Sequence, residues 1–212
     1  MSQNQLAGQI AEALLRIEAV VLRPAEPFTW TSGIKSPIYC DNRLTISYPD
    51  IRDLIAEGFV KLIRERFADV EVVAGAATGG IPHAALVAQK LGLPMIYVRD
   101  KAKGHGKENK IEGLLKPGQK AVVIEDLIST GGSSIMVAEA VNEAGGHALG
   151  VAAIFTYELD RASAGFAAAG IPLVTLSNYS ALLDAAVRIG AIREDQLELL
   201  KAWRSNPEQY GV

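Results

Sequence analysis

Glu125 and Asp126 stand side by side, and within eight residues come Ser129, Thr130, Gly131, Gly132, Ser133 and Ser134. A glycine- and hydroxyl-rich turn that opens a helix offers unpaired backbone N–H groups and the positive end of the helix dipole, an arrangement suited to a phosphate. Two carboxylates would repel that phosphate. A ligand carrying both a phosphate and neighbouring hydroxyls removes the conflict: the turn at 129–133 takes a 5-phosphate while Glu125 and Asp126 accept hydrogen bonds from ribose hydroxyls. Leu127 and Ile128 join the two halves of this cradle. A Walker loop is excluded because the turn has no lysine after its glycines, and a dinucleotide fingerprint because Gly-x-Gly-x-x-Gly is missing after the strand. The plainer alternative is a strand-to-helix connection in which Ser129 or Thr130 caps the helix.

These residues need a scaffold, and the apolar pattern supplies one. Residues 121–124 form a β-favouring run long enough for a buried parallel strand and too short for a helix, which places the acid pair at its carboxyl end, where open α/β sheets hold ligands. Leu6, Ile10, Leu14 and Ile17 mark a first amphipathic helix, and Pro49 starts a long second one to about Phe67. Strands are predicted at 71–77, 95–98, 147–155 and 173–176, with helices after Thr78-Gly79-Gly80, after the motif, around 179–189 and around 194–203. This alternation implies an α/β fold with a doubly wound, mainly parallel sheet of about five strands. Its strand-end turns share one rim, carrying Thr78 and Gly79, Arg99 and 125–134. The chain reads as one domain: an N-terminal helix and hood at 1–45, an α/β core at 46–176 with a loop at 99–117, and C-terminal helices at 177–212.

Residues 99–113 carry five basic side chains, three acidic ones and His105 between Gly104 and Gly106. A charged stretch is by default a solvated surface loop. Connections of this length in compact domains are usually functional lids or disordered segments, and the flanking glycines would let the loop fold down over a ligand.

The chain has 212 residues, 49% of them apolar, and a net charge of −3, enough to bury a core and without a global basic field for nucleic acid. No apolar run approaches the roughly 18 residues of a membrane span, and the polar start lacks a signal peptide's pattern. Cys40 is the single cysteine, so no internal disulfide can form and a reducing cytoplasmic location is implied. His83 and His147 lack a second ligand at metal spacing, and Trp30 and Trp203 read as packing residues.

Strand, acid pair and the turn Leu-Ile-Ser-Thr-Gly-Gly-Ser at 127–133 resemble the phosphoribosyl-pyrophosphate motif of type I phosphoribosyltransferases. Arg-x-Lys-x-Lys-x-His-Gly at 99–106 is similar to the catalytic loop of orotate phosphoribosyltransferases. Ser-Gly-x-Lys-Ser-Pro at 32–37, with Tyr39 and Asp41-Asn42-Arg43, is similar to that family's base-binding region. The resemblance implies transfer of a phosphoribosyl group from phosphoribosyl pyrophosphate to orotate, yielding orotidine 5′-monophosphate and pyrophosphate in pyrimidine synthesis. It implies Arg99, Lys103, His105 and Asp126 as catalytic groups. Thr78, Gly79, Glu125 and the 126–133 segment, with Leu127 and Ile128, would hold phosphoribosyl pyrophosphate, and Ser129, Lys35, Tyr39 and Arg43 would face orotate. Mg²⁺ is implied as held by substrate and water, with Asp126 behind a water and no direct protein ligand. A homodimer whose loops close over the neighbouring subunit's site is also implied.

The chain differs from one branch of the family, with Asp100 after the loop arginine, Thr78-Gly79 for Tyr-Lys, Thr31 for a lysine and Tyr157 for a late arginine. The competing readings are a phosphoribosyltransferase for a purine and a regulatory protein that senses phosphoribosyl pyrophosphate. The first has little reason to carry the loop and the Ser-Gly-x-Lys-Ser-Pro segment. The second would need a basic nucleic-acid module or a degraded loop.

Overall fold

The computed structural model describes residues 2–29, 33, 35–99, 110–207 and 210. The amphipathic helix α1 spans Gln3–Arg16, with Ser2 and Gln5 forming a capping box at its start. Short strands follow: β1 Val20–Leu22, β2 Phe28–Thr29, β3 Lys35–Ser36 and β4 Ile38–Cys40. β1 pairs antiparallel with β4, and β2 with β3, so the hood contains two ribbons. A 3₁₀ turn at Asn42–Ser47, started by the Asp41 side chain, leads into α2 Pro49–Arg66. The core continues as β5 Val72–Ala76, α3 Gly80–Leu91, β6 Met95–Val98, β7 Ile111–Glu112, β8 Lys120–Ile128, α4 Gly132–Glu143, β9 His147–Thr156, α5 Asp160–Ala169 and β10 Leu173–Asn178. Helices α6 Tyr179–Arg188 and α7 Leu197–Ser205 complete the described elements.

The main sheet runs β10-β9-β8-β5-β6-β7, with five parallel strands and one antiparallel edge strand, β7. The expected doubly wound α/β sheet is present with six strands instead of about five. The extra strand is only two residues long, too short to leave a periodic trace. Alternate residues of the strands face opposite layers, as the two-residue repeat requires. Val73, Val122, Ile124 and Ala152 pack with α1, α2, α3 and α6, while Val72, Ala74, Val123 and Ala153 pack with α4 and α5. Both faces are covered, which is why these strands read as continuous apolar runs.

Two boundaries differ from expectation where they bear on the site. Strand β8 does not stop at Ile124 but continues to Ile128, because β9 pairs with it as far as Ile128↔Thr156. β5 leaves earlier, its last pair with β8 being Gly75↔Ile124. Glu125 and Asp126 thus lie inside the strand, at the point where it loses one neighbour. Helix α5 has no counterpart in the expected elements; its alanine-rich sequence shows too few large apolar residues to reveal a face.

Candidate active site

Glu125 and Asp126 start from adjacent positions and end in different environments. Glu125 is 5% exposed, and its carboxylate accepts hydrogen bonds from Ser134 Oγ at 2.9 Å, from Ser133 Oγ at 3.4 Å and from the Asp126 N–H at 3.1 Å. Burial, with the neighbouring Asp126 charge next in weight, pushes the Glu125 carboxyl up to about 8. Asp126 is only partly buried and opens onto a cavity of about 360 Å³ lined also by Cys40, Asp41, Arg43, Ala77, Thr78, Gly79, Glu125, Leu127 and Ser133.

The turn after β5 presses against that acid. A side-chain carbon on Gly79 would overlap the Asp126 carboxylate, and one on Gly80 would overlap the Ile124 carbonyl. Only glycine permits this approach, so Thr78 and Gly79 line the same cavity as Asp126. Gly131, at the N-cap of helix α4, is held at φ +81°, where a side-chain carbon would strike the Phe166 ring. No side chain caps this helix. Neither Ser129 nor Thr130 acts as the cap that the plainer reading required, and the first-turn amides remain available to an anion. Ile128 itself is fully buried, so its contribution is to the strand.

A second cavity of about 400 Å³ adjoins the first and shares Cys40 and Leu127 with it. Its other walls are Phe28, Thr29, Tyr39, Ser129 and Tyr157, with the Phe28 and Tyr39 rings 5.6 Å apart. Tyr39 is 46% exposed. A flat, mostly apolar slot of this kind suits a heterocyclic base. Lys35 stands at its rim, where Nζ donates to Thr29 Oγ1 at 2.9 Å. Arg43 lines the acidic cavity and forms a two-point ion pair with Asp41, at 2.6 and 2.8 Å. Burial raises the Cys40 thiol well above its usual value, against a nucleophilic role.

Other expected groups lie elsewhere. Arg99 follows β6 on the same rim, but its guanidinium is 3.3 Å from Glu112 Oε1 rather than in either cavity. Lys103 and His105 lie outside the described residues. His83 is buried and held near 4 by desolvation, hence neutral, in agreement with a packing role. Trp203 is likewise a core residue, its ring edge-on to Tyr157 at 5.9 Å.

Among the described residues no group of three His, Cys, Asp or Glu side chains could hold a metal ion. The acid pair instead offers one open carboxylate, Asp126, which fits a divalent cation that arrives with its substrate and keeps its waters. No described helix is long and apolar enough to cross a membrane.

Asn42 escaped the sequence reading except as the middle of Asp41-Asn42-Arg43. It is 1% exposed and donates from Nδ2 to the Asp126 carbonyl at 2.6 Å, tying the hood to β8. No local pattern could have shown this, because its partner is 84 residues away.

Comparison with known proteins adds independent support. The phosphoribosyl transferase domain family matches residues 47–167. An orotate phosphoribosyltransferase from Enterococcus faecalis is 59% identical over 208 residues, spanning 98% of this chain and 99% of that protein. Among solved structures, an Aeropyrum pernix orotate phosphoribosyltransferase superposes with a TM-score of 0.75 at 26% identity, over 87% of this chain and 99% of the other. A Mycobacterium tuberculosis orotate phosphoribosyltransferase in complex with 5-phospho-α-D-ribosyl 1-diphosphate gives 0.65 at 25% identity, over 84% and 98%.

Proposed function

The chain belongs to the orotate phosphoribosyltransferase family, and from that premise we propose how its two cavities divide the reaction. The enzyme transfers the 5-phosphoribosyl group of phosphoribosyl pyrophosphate to orotate, giving orotidine 5′-monophosphate and pyrophosphate in pyrimidine synthesis. The observation that carries this division is the contact between an aromatic slot and an acid-lined cavity across Cys40 and Leu127, beside an uncapped helix start. A base and the anomeric carbon must meet at such a border.

The first-turn amides of α4, with Ser129, Thr130, Gly131, Gly132 and Ser133, receive the 5-phosphate. Asp126 accepts the ribose hydroxyls directly, and Glu125 holds Ser133 and Ser134 in place beside it. Tyr39 and Phe28 face the base; Arg43 or Lys35 meets its carboxylate, and Ser129 lies between base and phosphate. Breaking the anomeric bond leaves the ribose cation-like and adds negative charge to the departing diphosphate, which faces Thr78 and Gly79. The cavity there is lined by the Asp41 and Asp126 carboxylates, the largely protonated Glu125 carboxyl and one arginine already paired with Asp41, so the leaving group needs positive charge from elsewhere. Lys103 and His105, with Arg99 released from Glu112, supply it from the 99–117 loop, Lys103 stabilising developing charge and His105 donating a proton or a charge. Asp126 would hold a Mg²⁺ ion through water, and that ion, when bound with the substrate, would supply further positive charge to the leaving group. The protein works as a cytoplasmic homodimer in which each loop closes over the partner's cavity.

The direct test mixes the protein with Mg²⁺ and phosphoribosyl pyrophosphate and follows orotate against adenine, guanine, xanthine and uracil. Orotate loss with equimolar pyrophosphate release is expected, and chelating the metal should abolish it. Consumption of a purine instead would overturn the substrate. Lys103→Ala should lower kcat by about 100-fold or more while changing orotate affinity little, since its work is done on charge that develops in the transition state.

A further inference from the structure

Asp126 lies two residues beyond the last β5–β8 pair, and both of its main-chain groups are bonded to side chains instead of a neighbouring strand. Its N–H donates to Glu125 and its carbonyl accepts from Asn42. Asn42 is itself held firmly. Its own carbonyl accepts from Thr45 Oγ1 at 2.6 Å, and its Oδ1 accepts from the Cys40 thiol at 3.3 Å. Thr45 Oγ1 lies 3.4 Å from His83 Nε2 on α3, the helix that grows out of the Gly79 turn.

A buried amide held on several sides has no freedom to drift, so it transmits the position of the hood to whatever it bonds. What it bonds is the main chain of the acid that meets ribose. The Asp126 carboxylate in turn lies so close to Gly79 that no side-chain carbon fits between them, and a small main-chain shift would change its aim. We propose that Asn42 is a positioning residue, which from the hood fixes Asp126 in register with the base cavity so that ribose and base are presented to one another correctly. This rests on the reading of the two cavities given above.

A residue that only satisfied a buried carbonyl would affect stability alone. The full chain is therefore made as Asn42→Ala and Asn42→Asp, and compared with wild type by thermal melting, by calorimetric titration with phosphoribosyl pyrophosphate and Mg²⁺, and by turnover of orotate from about pH 6 to about pH 9. Asn42→Ala should bind phosphoribosyl pyrophosphate about tenfold more weakly, and lose more than about tenfold in kcat at every pH. Asn42→Asp keeps the shape, but only its protonated form can donate to the Asp126 carbonyl, and burial beside the Asp126 charge should raise its carboxyl as it does that of Glu125. Its kcat relative to wild type should accordingly fall about tenfold across that range as the pH rises.

Folded variants with wild-type titrations and turnover overturn the inference, and so does an Asn42→Asp turnover equal to that of wild type near pH 9. If Asn42→Ala does not fold, the turnover of Asn42→Asp near pH 9 decides. A wild type that binds phosphoribosyl pyrophosphate but leaves orotate untouched would refute the substrate reading, while the titrations would still decide the role of Asn42.

Discussion

Two adjacent carboxylates carry different duties because only one of them is withdrawn from water. Glu125, behind Asp126 and bonded to Ser134, has its carboxyl raised from 4.5 to about 8, chiefly by burial. A carboxyl whose folded value exceeds its unfolded one binds its proton more tightly in the folded chain. Ionising it then costs folding free energy, and that cost grows as the pH rises from about 4.5 through about 8. Glu125→Gln removes the cost while preserving size and the ability to accept from Ser134. We expect the variant to melt about 5 °C above wild type near pH 9 and close to it near pH 5, the difference read by thermal denaturation at the two pH values. A variant less stable than wild type at high pH would mean that Glu125 is ionised and well solvated in the folded state. Asp126, open to its cavity, should behave differently: Asp126→Asn should leave melting nearly unchanged, within about 3 °C, yet weaken phosphoribosyl pyrophosphate binding measured by calorimetry, because it removes acceptors for ribose hydroxyls rather than a buried charge.

The elements around these acids are set by two glycine positions with different physical reasons. At Gly79 the constraint is proximity to a functional carboxylate, so Gly79→Ala should retain the fold and weaken phosphoribosyl pyrophosphate binding by at least about tenfold, as measured by calorimetry. At Gly131 it is the backbone, since φ +81° and the Phe166 ring both oppose a side chain. Gly131→Ala should therefore lower the melting temperature by about 5 °C, whereas Gly132→Ala, with open space around it, should not. Equal melting of the two alanine variants would show that the turn relaxes without strain. The sequence signals were strongest where a local rule acts alone. Apolar runs covered on both faces marked β5, β6, β8 and β9, and Pro49 marked the start of α2. They failed where distant partners decide. β8 reaches Ile128 because β9 stays with it, α5 is held by Ala162 and Phe166 with few other large residues, and Asn42 matters through a strand 84 positions away. The acid pair and its turn were legible in the sequence, whereas the unequal burial of the two acids depends on Ser134 and on the way the Gly79 turn packs.

At the scale of the whole molecule, the described residues present an acidic cavity whose only lining cation, Arg43, is already paired. A diphosphate cannot be stabilised there without added positive charge, and the loop at 99–117 carries the cationic residues suited to provide it. If that loop serves the partner's cavity, a catalytic unit comprises the acids of one protomer and Lys103 of the other. Lys103→Ala and Asp126→Asn would each then be nearly inactive alone. In an equimolar mixture allowed to exchange subunits, about half of the dimers are mixed, and one of the two sites in each combines an intact loop with an intact acid pair, so about a quarter of wild-type activity should return. A loop acting on its own protomer predicts a different outcome, since in a mixed dimer every site would keep one defect and no activity would appear. Turnover of orotate after mixing, followed until it becomes constant, separates the two arrangements, and a mixture as inactive as its components would place the loop over its own cavity.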